Sequence, residues 1–152
     1  MSAFSESVKN ELIKLRQEGL VHALGTSIHD RPRAGRLAVD SPLDMLMIRY
    51  NAAHPGAEQD IFPHYEKRRP LTVAYTATSW RKLLKRPKGW DGPVMTAGDC
   101  YRFCLSNPNV DLCLGGVKNK SQLEKNLASL KQGPLSPEED SWMRKFGKRV
   151  HG

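Results

Sequence analysis

Long apolar runs, paired cysteines and concentrated charge are all missing from this chain of 152 residues. No apolar stretch approaches the ~20 residues that a helix needs to cross a bilayer, and residues 1–16 hold no unbroken apolar segment of the signal-peptide kind. A cytoplasmic protein with no membrane partner is the expectation. Cys100, Cys104 and Cys113 are odd in number and form no Cys-x-x-Cys pair, which suits a reducing compartment better than a disulfide framework. Cys100 and Cys104 stand one helical turn apart, but no histidine lies close enough for a usual zinc spacing, so buried free thiols and no metal are expected.

Charge is abundant but scattered. Lys plus Arg number 24 against 16 Asp plus Glu, a formal net charge of +8. The densest basic runs, Lys67-Arg68-Arg69 and Arg81 to Lys88, sit beside Pro70 and Pro87 at turns, and the rest spreads over helical faces. That pattern describes a solvated surface with room for a local anion pocket, and no nucleic-acid partner is expected. With 39% hydrophobic and 26% charged residues the chain has ordinary globular usage. Its length suits one domain over residues 1–152, able to bury roughly 68 to 70% of its unfolded surface.

The patterning predicts alternating helices and strands. Phe4 to Gln17 reads as an amphipathic helix stopped at Gly19, and Leu20 to Gly25 as a buried strand opening into a loop at Gly25-Thr26-Ser27. Arg33 to Val39 reads as a short helix, Leu43 to Ile48 as a second strand, 51–60 as a loop and Phe62 to Lys67 as another short helix. Leu71 to Tyr75 is the third strand on its β-branched content. A helix is expected from beyond Ser79 to Leu84, then a breaker-rich loop through Pro93, a helix over Thr96 to Leu105 and a fourth strand over 111–114. Ser121 to Leu130 is amphipathic, and a last helix starts with Ser136 as N-cap, Pro137 in the first turn and Glu139 closing a capping box. Four buried strands, each followed by helical sequence, signal repeated βα units and a parallel sheet. A full eight-unit barrel needs about 200 residues at the least, so four units imply a small open sheet or half a barrel.

Several strand ends carry a more specific pattern. Arg49-Tyr50-Asn51-Ala52-Ala53-His54-Pro55-Gly56-Ala57-Glu58, Ala74-Tyr75-Thr76-Ala77-Thr78, Asp99-Cys100-Tyr101-Arg102-Phe103 and the run from Gly116 to Asn126 resemble the aldo/keto reductases. The likeness extends from about Glu11 to the C-terminus and matches only the second half of that family's barrel. It implies the C-terminal half of a (β/α)8 barrel, about four βα units plus a C-terminal helix, truncated relative to the family. It also implies an NADP cofactor and, in a complete enzyme, an aldehyde or ketone as substrate.

The resemblance also implies site residues. Ser27 falls where the family holds the nicotinamide carboxamide, but Ile28 and Met47 replace the two amide side chains that share the task. Tyr75 falls where an aromatic ring stacks on the nicotinamide. Gly116, Val117, Lys118, Asn119, Gln122 and Asn126 match the segment for the adenosine phosphate, where glycine permits close approach and a helix N-terminus presents free N–H groups. Lys118 would favour the 2′-phosphorylated cofactor. Each also has a plainer reading: a turn cap for Ser27, a core-capping ring for Tyr75, an ordinary βα loop for the rest. No catalytic residue is assigned, because the family's tyrosine, lysine, aspartate and histidine lie on four strands with no counterpart in this sequence. An alternative role is a non-catalytic half-barrel that forms homodimers, or binds a complementing half, through open sheet edges.

Overall fold

The structure, a computed structural model, describes residues 5–151. Four parallel strands form one sheet in sequential order: β1 Gly25–Ile28, β2 Met45–Arg49, β3 Leu71–Tyr75 and β4 Leu112–Cys113. The helices are α1 Glu6–Gln17, α2 Arg31–Asp40, α3 Ala57–Asp60, α4 Ala97–Leu105, α5 Lys120–Leu130 and α6 Pro137–His151, with 3-10 turns at Phe62–Glu66 and Lys82–Leu84. The expected βα alternation is therefore present, with the third strand at the predicted bounds. The predicted start of the first helix at Phe4 lies outside the described residues; Ser5 caps α1 by accepting from the Val8 N–H at 3.4 Å.

Several boundaries differ from expectation, among them the helix expected up to Leu84, which is only a 3-10 turn at Lys82–Leu84, and three have a clear local reason. The strand expected at Leu20 to Gly25 begins only at Gly25. Gly19, at φ +73°, closes α1 with paired bonds from its own N–H to the Arg16 carbonyl and from the Leu20 N–H to the Leu15 carbonyl. This is a Schellman closure, and it spends Leu20 on the helix end, where its side chain stays 69% exposed. The second helix starts two residues early because Asp30, ahead of Arg33, caps it through the Arg33 N–H at 3.0 Å. The loop at 51–60 contains the single turn α3, which is too short to leave a periodic signal.

Strand register sorts the side chains onto two faces. Leu46 and Ile48 of β2 and Thr72 and Ala74 of β3 are at most 1% exposed and face the helices, where they join Tyr50, Phe103, Met143 and Phe146 in the core. The opposite face carries Ser27, Met47, Val73 and Leu112 in one register line and Met45 beside Leu71 in another. No helix among the described residues covers it at Leu71 and Leu112, which are 42% and 52% exposed. At the β1 side, Asp44 ties the sheet to α1 by pairing with Arg16 while accepting the Leu24 N–H at 2.8 Å.

Candidate functional site

The loop after β3 and the helices α4 and α5 enclose a groove of about 810 Å³. Gly98 sets its wall: a Cβ there would stand 2.1 Å from the Ser129 Oγ, so α4 and α5 approach as closely as they do because position 98 has no side chain. Across the groove Gly116 has nothing within 4 Å of where a Cβ would point, leaving its backbone open. Tyr101 packs against the neighbouring Gly115, where a Cβ would stand 3.1 Å from its phenolic oxygen, and burial disfavours its ionisation. At the start of α5 the Asn119 side chain caps the Gln122 N–H at 3.0 Å, and the Gln122 side-chain carbonyl accepts the Lys118 N–H at 2.9 Å. Lys118, Lys125 and Arg81 line the groove, and none of the three is paired with a carboxylate among the described residues. The cavity thus offers three cations, amide side chains at Gln122 and Asn126, and an open glycine backbone.

Of the residues expected from sequence, Gly116, Lys118, Gln122 and Asn126 line this groove together. Val117 is 42% exposed and, like Asn119, is not among the lining residues; the Asn119 side chain is committed to the helix cap. Ser27 and Tyr75 lie apart from the groove but meet each other. The Tyr75 hydroxyl stands 3.0 Å from His29 Nδ1; partial burial disfavours its ionisation, which Arg49 and Ser27 ease. Ile28 packs against the core, and Met47 sits between Ser27 and Val73 in the register line. Neither side chain can donate to an amide, and only the Met47 thioether can accept, weakly.

Sequence reasoning missed Thr76, Thr78, Arg81 and Lys125 as groove residues. The backbone is left-handed at Thr76, Ser79, Trp80 and Arg81, with φ of 59°, 48°, 52° and 68°. Such angles are costly for a β-branched residue and concentrate at ligand sites. No glycine marks the turn, so composition carried no signal for it; the basic run beginning at Arg81 was the one available hint.

No family model matches the sequence, and no curated protein does. Solved structures match the fold. An aldo-keto reductase from Bacillus halodurans in its apo form aligns at 17% identity and TM-score 0.75 over 96% of this chain and 59% of its own. A glycerol dehydrogenase from Gluconobacter oxydans aligns at 19% identity and TM-score 0.69, covering 95% of this chain and 54% of that one. An aldo-keto reductase from Bombyx mori, solved in complex with NADP, aligns at 18% identity and TM-score 0.63, covering 91% and 50%. This chain spans about half the length of the reductases it matches. Over nearly all of that length it has the fold of half an aldo-keto reductase.

Proposed function

We propose that the chain is the NADP(H)-binding, C-terminal half of an aldo/keto reductase-like oxidoreductase that in complete form reduces aldehydes or ketones. The groove carries this reading, because it gathers Gly116, Lys118, Gln122 and Asn126 at one helix N-terminus. Its donor set fits a phosphorylated adenosine: Lys118, Lys125 and Arg81 supply charge, and the open backbone at Gly116 admits close approach. The nicotinamide end fits less well, since Ser27 and Tyr75 are present while Ile28 and Met47 provide no amide contact. Bound NADPH would supply hydride. What the chain's own residues do is hold and orient: Lys118 at the 2′-phosphate, Gln122 and Asn126 at the adenosine, the Tyr75 ring against the nicotinamide face.

Proton donation has no counterpart here, because none of the family's acid motifs occurs in the sequence. The purified chain is expected to show no NADPH consumption with simple aldehydes, and turnover near ~10 s⁻¹ would overturn that expectation.

Cofactor choice gives the direct test. Titration of NADP and NAD against the chain and a Lys118→Ala variant should show NADP binding weakened about tenfold, the scale of a charge-assisted contact, with NAD binding nearly unchanged. Equal affinity for the two cofactors, or equal loss of both in the variant, removes the phosphate assignment. The uncovered sheet face at Leu71 and Leu112 favours a second reading, a non-catalytic half-barrel that pairs with itself or with a complementing half. Dimers in light scattering together with no affinity for either cofactor would make that reading the better one.

A further inference from the structure

A second cavity, of about 590 Å³, opens beyond the C-terminal ends of β1 and β2, away from the α4–α5 groove. His29 reaches it from the β1–α2 connection and Arg31 from the first turn of α2, Arg49 from the end of β2, His54 from the turn before α3, and His151 from the end of α6. Five basic side chains from four parts of the chain thus face one space. Asp30, the one carboxylate in the lining, is already engaged as the α2 cap. Arg31 is anchored by Asp60 at 2.8 Å and lies flat on Gly56, where a Cβ would stand 2.1 Å from its Nη1. Arg49 has no carboxylate partner among the described residues; its guanidinium sits 6.0 Å from the centre of the exposed Trp80 ring. The His54 ring stands edge-on to His151 at 4.7 Å.

We propose that this cavity is a binding site for a small dianion, a dicarboxylate or a phosphate group, with Arg49 as its principal contact and Arg31, His54 and His151 around it. The guanidinium fork of Arg49 suits two oxygens of such a group, and Arg31 is held in place before any ligand arrives. His54 reports the charge in the cavity. Its Nδ1 lies 3.1 Å from the Asn51 side-chain oxygen, which can only accept, so Nδ1 keeps its proton and Nε2 is the atom that titrates. Burial, then the charges of Arg49, His151, Lys82 and Arg31, hold that imidazole down to about 4 from an ordinary 6.5. An anion that offsets those cations should raise it, while the burial that is its largest cause stays in place. The cavity shares no residue with the groove, but it borders the nicotinamide end of the proposed cofactor site, since Tyr75 stands 3.0 Å from His29 and opposite Arg49 in strand register.

The test uses the whole chain with inorganic phosphate and succinate as separate probes, each against sodium chloride at matched ionic strength. Calorimetry should show one site for at least one probe, and which of the two binds tells phosphoryl from carboxylate chemistry. Arg49→Ala should weaken binding about tenfold or more. Lys118→Ala should leave it unchanged. In the unaltered chain, NMR should show the His54 ring titrating upward from about 4 toward 6.5 as the probe saturates. Binding equal in Arg49→Ala, or a His54 titration that ignores the probes, overturns the site without touching the cofactor assignment. Displacement of the probe by NADP in both the unaltered chain and Lys118→Ala would make the cavity part of a nucleotide site and overturn the inference as well.

Discussion

Arg102→Ala should lower stability by about 3 kcal/mol, and by roughly 6 to 12 °C in Tm for a domain of this size. Arg102 projects from α4 with its side chain only 4% exposed. Its guanidinium forms a fork with Glu139 at 2.7 and 2.9 Å, donates from Nε to the Gly133 carbonyl at 3.1 Å, and reaches the Pro134 carbonyl at 3.3 Å. One side chain therefore satisfies two carbonyls of the turn between α5 and α6 and ties that turn to Glu139. Removing it strands two carbonyls and leaves Glu139 without its cation, the costly way to break a buried pair. Glu139 keeps 37% exposure, so the loss should fall at the low end of the usual range. Arg102→Lys keeps the charge but not the fork and should fall in between. The same contact sets an acid limit. Arg102 and the Ser136 N–H hold the Glu139 carboxyl below its ordinary 4.5, so the stabilisation is full above that value and is lost as pH falls through the lowered one. Thermal unfolding of the variant within about 2 °C of the unaltered chain would refute this account.

Gly147→Ala should cost about 2 kcal/mol although alanine is the better helix former by about 1. Gly147 lies inside α6 where that helix crosses the turn after β2. A Cβ there would stand 2.1 Å from the Ala52 carbonyl oxygen, 2.3 Å from its carbon and 2.8 Å from the Ala53 nitrogen. All three atoms are backbone, and Ala52 and Ala53 are themselves buried, so no side chain can swing away to make room. The helix must move instead, carrying Met143 and Phe146 out of the core. Denaturant unfolding measures the effect; Gly116→Ala, which meets nothing within 4 Å, is the control and should leave stability unchanged. A Gly147→Ala variant as stable as the parent would mean that α6 does not seat against this turn.

What could be read from the sequence followed how locally each feature was determined. β3 was legible because Thr72 and Val73 favour extended backbone, and the start of α6 because Ser136 and Glu139 cap each other through backbone bonds at 3.2 and 2.8 Å. Leu20 to Leu24 looked like a strand because apolar content cannot show that Gly19 and Leu20 are closing a helix behind them. The site divides along the same line. Gly116, Lys118, Gln122 and Asn126 are neighbours in sequence and arrive in one groove together. Thr76 and Arg81 join them only through a left-handed turn that no glycine announces, and Arg31, Arg49, His54 and His151 converge only once four separate segments have packed.

β4 has two residues and bonds on one side only, to β3. A strand so short, held by a single neighbour, is the cheapest part of the sheet to open, and its amides should exchange with solvent long before those of β2, which is bonded on both sides. The groove beside Gly116 and Lys118 is reached directly through the chain leaving β4, so any ligand seated there clamps the least protected strand. Occupancy would then register as slowed amide exchange at Leu114, which lines the groove and donates its N–H to the Ala74 carbonyl at 2.8 Å.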